Sequence, residues 1–168
     1  MDHTWSRILV VGCGERFASD EVAGLEVAAQ LGRTPGHICE VRDIEHCSPS
    51  FLEQLPADSI VILVDAVKSG ARPGTIHAIR LPADRVHPYG QPTGSSDSLG
   101  VHREIDMLQR VKGPKLYLLG IEIEKWDPGI GVTTSVHAAV LELVRELAKL
   151  NGKGQPKLPF FTEDLRSD

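Results

Sequence analysis

The chain lacks the features that mark two common classes of protein. Its 18 Lys and Arg are outnumbered by 23 Asp and Glu, so the formal net charge is -5. The basic surface that nucleic-acid binding requires is therefore not predicted. No apolar run approaches the roughly 20 residues that cross a membrane, and the stretch 8–11 is too short for a signal-peptide core. We expect neither nucleic acid nor a membrane as partner.

Cysteine is also scarce. The three residues Cys13, Cys39 and Cys47 are an odd number without CxxC spacing. This usage favours reduced thiols over a disulfide framework or a zinc site. A reducing compartment, the cytoplasm, is the predicted location.

Five segments have the apolar character of β-strands: Arg7–Gly12, His37–Asp43, Ser59–Asp65, Thr75–Leu81 and Lys115–Ile123. The first and third are almost continuously apolar, which is typical of central parallel strands covered on both faces. Helical spacing of apolar residues occurs in the segments that alternate with them: 20–31, 48–55, 97–111 and 134–150. This alternation predicts a doubly wound, three-layer α/β/α domain.

One connection departs from the parallel pattern. Only nine residues, AVKSGARPG, separate Asp65 from Thr75, and they end in a Pro-Gly turn signal. A parallel crossover needs a dozen or more residues. The strand 75–81 is therefore predicted to run antiparallel, beside its predecessor or at the sheet's edge, in a mixed, mostly parallel sheet.

The chain reads as one domain over residues 1–150 with a C-terminal tail at 151–168, which has no apolar period. Residues 82–96 are rich in Pro, Gly and Ser and form a long predicted loop. Loops of this length in compact domains are often functional.

Acidic residues fall where the predicted strands end. Ligands of open α/β sheets bind at the carboxyl ends of the strands, and a cluster of carboxylates there favours a cation. Asp97 opens a later helix and is expected to reach the same edge. The residues following or closing the first three strands are Glu15, Asp20, Glu21, Asp43 and Asp65.

Most of these residues also have an ordinary structural interpretation. Asp20 and Asp97 are placed to cap helices, Glu21 suits the first turn of a helix, and Asp43 fits a turn. Asp65 is harder to explain in this way, because a carboxylate closing so apolar a strand needs a partner.

Other kinds of site are poorly supported. Gly12-Cys13-Gly14 begins a dinucleotide signature, but Phe17 replaces its third glycine and the acidic residues beside it repel a pyrophosphate. No GxSxG elbow is present, and we expect no organic cofactor. His102 and His87 are further candidate metal ligands. The alternative for His102 is a solvated pair with Asp106, and the alternative for His87 is an exposed position in the loop.

Four blocks in this order resemble the nickel–iron hydrogenase maturation endopeptidases: ILVVGCGERFASDEVAGLEVAAQL, VDAVKSGARPGTIHAIRL, SSDSLG and GIEIEKWDPGIGVTTSVHAAVLELV. The resemblance spans roughly residues 7–150. It implies an endopeptidase that removes the C-terminal peptide of a hydrogenase large-subunit precursor after nickel insertion. The nickel carried by that precursor would serve for recognition.

The resemblance also implies particular residues for the site. The family's acidic residue after the first strand and the aspartate ending the third carry over to Glu21 and Asp65. Asp97 stands where the family has a histidine, and Glu15 replaces its asparagine. The predicted metal contacts are thus Glu21, Asp65 and Asp97, a harder donor set than one with imidazole.

Two mechanisms and three activities are compatible with these residues. Either the metal polarises the scissile carbonyl and activates water, or a carboxylate acts as general base; Asp43 and Asp65 are the catalytic candidates. The alternatives to a protease are a non-catalytic, metal-gated chaperone or checkpoint of hydrogenase assembly, and a small-molecule hydrolase with a carboxylate-bound metal.

Overall fold

The computed structural model describes residues 7–45, 49–81, 114–150 and 158–161. The predicted loop 82–96 and helix 97–111, with Asp97, His102 and His87, lie outside the described residues. The elements that are described follow one another as β1 Arg7–Cys13, a 3-10 turn Ser19–Val22, α1 Ala23–Arg33, β2 Glu40–Ile44, α2 Pro49–Glu53, β3 Ser59–Val67, β4 Ile76–Leu81, β5 Lys115–Glu122 and α3 Thr134–Ala148.

The five strands form one sheet in the order β2-β1-β3-β5-β4. β1 pairs in parallel with β2 and β3, and β3 pairs in parallel with β5. β4 lies at the edge and runs antiparallel to β5. The predicted mixed sheet and the predicted direction of the fourth strand are confirmed, and residues 66–74 contain no helix.

Both faces of the sheet are covered. Alternate residues of its central strands point to opposite faces and pack in two separate core clusters. Ile60, Ile62 and Val64 of β3 pack in the core cluster that includes α1 and α3. Val61 and Leu63 pack in a second cluster with β1, and Phe51 of α2 lies against it. Each such fully buried side chain contributes about 1.5–3 kcal/mol.

Two glycines allow β1 and α1 to touch through their backbones. A Cβ added at Gly24 would collide with the carbonyl oxygens of Cys13 and Val64, and one added at Gly12 would collide with that of Gly24. The first turn of α1 therefore rests directly on the ends of β1 and β3. This contact places the preceding 3-10 turn at the carboxyl edge of the sheet.

Some element boundaries differ from those predicted. β2 begins at Glu40 rather than His37, and β3 continues to Val67, since its pairing with β5 extends that far. Asp65 accordingly lies two residues before the end of its strand.

Three residues of the predicted tail, Leu158, Phe160 and Phe161, pack on the domain. Leu158 is buried in the same core cluster as α3, and the ring of Phe161 meets that of Tyr117 edge-on, with centroids 5.1 Å apart. The division at residue 150 stays a prediction. None of the helices in the described ranges has the length and apolar character needed to cross a membrane.

Candidate active site

Asp65 is a partly buried carboxyl group close to the carboxyl end of the central strand β3. One of its oxygens, Oδ1, accepts a hydrogen bond from the backbone N–H of Ala66 at 2.8 Å. Burial raises the pKa of Asp65 from its ordinary 3.8 to about 7; the Ala66 N–H opposes this rise and the negative charge of Glu21 adds to it. Near neutral pH the group is therefore divided between its acid and its anion.

Glu21 lies in the 3-10 turn that precedes α1. Its backbone N–H donates to Ala18, and its carbonyl oxygen accepts from the N–H of Glu15, so a compact turn holds its position. Its negative charge adds to the rise of the Asp65 pKa, as the smallest contribution after burial and the Ala66 N–H. That both contact one metal ion stays a prediction.

Asp20, the residue before Glu21, is fully buried and holds the connection between β5 and α3. Oδ2 accepts hydrogen bonds from the N–H groups of Glu124 (3.0 Å) and Lys125 (2.9 Å) and from the hydroxyl of Thr133 (3.0 Å), and Oδ1 accepts one from the Thr133 N–H (2.6 Å). The interpretation of Asp20 as a cap of its own helix is wrong. Val22 occupies the cap position of α1 without a side-chain hydrogen bond. The Asp20 carboxylate is bonded instead to the connection between β5 and α3.

Asp43 lies on β2 near its end, with an exposed side chain. Arg16 bridges it to a neighbouring carboxylate: Nη2 is 3.1 Å from Asp43 Oδ2, and Nε is 2.6 Å from Glu45 Oε1. In the sheet register both Asp43 and Val64 pair with Gly12. Asp43 is therefore two strands away from the residue preceding Asp65, on the order of 10 Å at the backbone.

Sequence reasoning missed a second buried carboxylate, Glu122, at the end of β5. It accepts hydrogen bonds from the N–H groups of Ser69 (2.8 Å) and Gly70 (3.0 Å) and from the Ser69 hydroxyl (2.7 Å), and His77 Nε2 lies 3.1 Å from its Oε2. The available signal was a carboxylate inside an apolar strand, the same argument that singled out Asp65.

The Glu122–His77 pair shares a sheet face with Asp65. Asp65 pairs with Gly120 across β3 and β5, and Gly120 pairs with His77 across β5 and β4. Paired residues project from the same face, as does Glu122 two residues beyond Gly120. Within the part of the chain that the structure describes, no group of three His, Cys, Asp or Glu side chains is arranged to hold a metal ion.

Comparison with known proteins identifies the family. The model of the family HycI, hydrogenase maturation protease, matches residues 28–150. The chain belongs to the hydrogenase maturation protease family. The protease is also similar to hydrogenase 2 maturation protease of Escherichia coli strain K12, with 27% identity over 164 residues, covering 91% of this chain and 96% of that protein.

Solved structures agree with this membership. The protease is similar to the hydrogenase maturating endopeptidase HybD from E. coli, with a TM-score of 0.68, 25% identity and coverage of 84% of this chain and 89% of that one. Its fold also matches the [NiFe] hydrogenase maturation protease HycI from Thermococcus kodakarensis KOD1, with a TM-score of 0.63, 19% identity and coverage of 86% and 91%. The resemblance and the endopeptidase class predicted from the motifs are confirmed.

The candidate site thus combines a carboxyl group able to exchange a proton near neutral pH with a second carboxylate that adds to the rise of its pKa. Both are held by rigid elements, Asp65 by the central strand and Glu21 by a turn tied to the β5–α3 connection through Asp20. Such a pair can contact a cation or accept a proton from water. Asp43, engaged by Arg16, lies apart from it.

Proposed function

We propose that this protease removes the C-terminal peptide of a nickel-loaded hydrogenase large-subunit precursor. In this proposal Glu21 and Asp65 contact the nickel, which belongs to the substrate and is not a resident cofactor. The supporting observation is the position of Asp65 near the carboxyl end of β3, where burial raises its pKa and the charge of Glu21 adds to the rise. The buried thiols of Cys13 and Cys39 suit the reducing cytoplasm, where we place the reaction.

The raised pKa of Asp65 supports recognition of a cation. Without a positive partner, two carboxylates in one partly buried site disfavour each other's ionised form. A divalent ion brought by the substrate would reverse that balance, so Asp65 would release a proton when the precursor binds. A precursor without its metal would lack this gain.

Asp97 stands at the position of the family's histidine, as the third proposed contact. A set of three carboxylates is a harder donor set than nickel prefers. The precursor would therefore supply the softer ligands, and this protease would add oxygen contacts to an ion that is already bound. This arrangement suits a sensor of loaded substrate better than a storage site for nickel.

For the bond cleavage we favour Asp65 over Asp43. Asp65 titrates close to neutral pH and neighbours Glu21, whereas Asp43 is exposed and bonded to Arg16. With the substrate's nickel polarising the scissile carbonyl, the remaining requirement is a group that orients water and takes its proton. Asp65 would meet it, provided that one of its oxygens is not bonded to the ion.

The proposal is tested by incubating the protein with a nickel-loaded and a metal-free large-subunit precursor and measuring the intact mass of each. We expect loss of a C-terminal peptide from the loaded form alone. Asp65→Asn and Glu21→Gln should each slow cleavage by about 100-fold or more. Glu142→Gln, which changes an exposed carboxylate on α3, is the matched control and should cleave normally.

Two outcomes would favour other functions. Tight binding of the loaded precursor without any change of mass would indicate the metal-gated chaperone, which the histidine-to-Asp97 difference supports. Equal cleavage of the loaded and metal-free precursors would reject recognition through nickel while leaving the protease activity in place.

A further inference from the structure

Exposed apolar side chains are concentrated beside the candidate active site. Five large apolar residues are exposed in the described ranges, and three of them lie on two neighbouring loops: Phe17 (73% exposed), Trp126 (47%) and Ile130 (94%). Phe17 precedes Glu21 by four residues, and the other two follow β5. We call these three residues the apolar rim.

Backbone pairing joins the two loops of the rim. Ala18 and Gly129 form an isolated parallel bridge; the Gly129 N–H donates to the carbonyl oxygen of Phe17 at 2.8 Å, and the Ser19 N–H donates to that of Gly129 at 3.3 Å. The Asp20 N–H also donates to the carbonyl oxygen of Lys125 at 3.2 Å. Phe17 therefore precedes one residue of the bridge, and Ile130 follows the other. Trp126 follows Lys125, whose carbonyl oxygen is hydrogen-bonded to the turn that carries Glu21.

This construction holds Phe17 in an unfavourable conformation. Its φ is 66°, and that of Ser19 is 49°, in the left-handed region where a bulky residue is uncommon and costs about 1–3 kcal/mol. A large aromatic ring is thus held mostly in solvent on a strained backbone whose carbonyl oxygen is hydrogen-bonded to Gly129. With 73% of the residue exposed, the fold gains little buried area to offset this strain.

The Trp126 side of the rim is fixed as well. Lys68 Nζ lies 4.2 Å from the centroid of the Trp126 ring, and its ammonium group donates to the carbonyl oxygens of Ile123 (3.3 Å) and Glu124 (3.4 Å). A cation against one side of the indole restricts its movement. The rim is consequently preformed, which reduces the entropy lost when a ligand binds.

We propose that the apolar rim binds the polypeptide of the precursor next to its scissile bond, through apolar side chains of that segment. This inference rests on the proposed function. An endopeptidase must hold an extended chain across its reacting groups, and the rim is continuous in the backbone with the turn that carries Glu21. The described part of the chain's own C-terminus is elsewhere, because Phe161 packs on Tyr117, which pairs with Ile62 and Arg80.

The test compares cleavage kinetics of rim variants on the nickel-loaded precursor. Phe17→Asn removes the ring but keeps a residue that tolerates the left-handed region, and Ile130→Ser removes an almost fully exposed side chain. We expect the double variant to raise KM by roughly tenfold or more with kcat unchanged. Its melting temperature should equal or exceed that of the wild type. Leu141→Ser, at an exposed leucine of α3, is the control and should leave KM unchanged.

The outcomes separate this inference from the function on which it rests. If the wild type cleaves and the rim variant has an unaltered KM, or if Leu141→Ser raises KM equally, the rim is not the peptide site and the inference is overturned. If the wild type does not cleave at all, the proposed function fails. The inference is then tested by direct titration, in which the rim variant should bind the loaded precursor more weakly than the wild type. A rim variant that only weakens self-association, measured by sedimentation, would identify a second copy as the occupant and overturn the inference.

Discussion

Asp65 ties the chemistry of the site to the stability of the fold. The pKa of its carboxyl group in the folded protein, about 7, lies above the ordinary value of 3.8. Below about pH 4 the group is protonated whether the chain is folded or unfolded. As the pH rises towards 7, the unfolded chain gains a favourable ionisation that the folded protein does not, so the free energy of unfolding falls.

We therefore predict that stability decreases between about pH 4 and pH 7 and that Asp65→Asn removes most of this decrease. One pKa unit corresponds to about 1.4 kcal/mol, and partial exposure of the carboxyl reduces the effect, so a difference on the order of 2 kcal/mol is expected. Urea unfolding at several pH values measures it, with Glu142→Gln as the control. A substituted protein whose stability still falls as steeply as the wild type would mean that another group causes the dependence.

The hydrogen-bond partners of Glu122 could not be predicted from the residues around it in the sequence. Its partners Ser69 and His77 are 53 and 45 residues away in the chain. Ser69 meets it because β3 pairs with β5 as far as Glu122, and His77 because β4 runs antiparallel beside β5. The apolar pattern around Glu122 predicted burial of the strand correctly. The donors that make a buried carboxylate tolerable there depend on the path of the intervening chain.

At the level of elements, the contact between β1 and α1 depends on the absence of side chains. We predict that Gly24→Ala destabilises the protein by about 1–3 kcal/mol, since the new methyl group must displace the carbonyl oxygens of Cys13 and Val64. Gly32→Ala in the same helix is the matched comparison. Nothing lies within 4 Å of that position, so the better helix propensity of alanine should stabilise it by about 0.5–1 kcal/mol.

Thermal or urea unfolding of the two variants tests this pair. Because Gly24 adjoins the turn of Glu21, Gly24→Ala should also slow cleavage, whereas Gly32→Ala should not. Similar stability changes in both variants would show that the backbone contact is not as tight as the geometry indicates.

The elements themselves were largely predictable. All five strands and the antiparallel edge follow from apolar runs and from the nine-residue link after Asp65, because chain length limits which crossovers can form. The start of β2 was misplaced, since Ile38 is apolar yet exposed. For the site, motif resemblance selected Glu21 and Asp65, and their joint contact with a metal stays a prediction. The distant partners of Asp20 had no local signal.

On the scale of the whole molecule, Asp20 joins its turn to a connection that lies more than 100 residues further along the chain. We predict that Asp20→Ala lowers the free energy of unfolding by about 3 kcal/mol, because it removes the buried carboxylate that accepts from three backbone N–H groups and a hydroxyl. Thr133→Val, which removes only the hydroxyl bond, should cost about 1 kcal/mol. Unchanged stability of Asp20→Ala would mean that water replaces the carboxylate at no cost.

Hydrogen exchange gives a second measurement of the same substitution. The amides of Glu124, Lys125 and Thr133 should exchange faster in Asp20→Ala, while those at the centre of β3 should change only as much as the global stability does. Uniform acceleration throughout the sheet would point to general destabilisation and not to a released loop.

The Asp20 carboxylate also has a thermodynamic consequence for substrate binding. Asp20 is covalently next to Glu21 and is hydrogen-bonded to the loop that bears Trp126 and Ile130, so ordering one side restricts the other. Under the proposed function, peptide contact at the loop and ion contact at Glu21 are then linked equilibria. Each strengthens the other by the same factor, as reciprocity requires. The protease would then bind a polypeptide that carries its metal more tightly than the separate affinities for peptide and metal predict. Asp20→Asn should reduce this cooperativity more than it reduces the affinity for the peptide or for the metal alone.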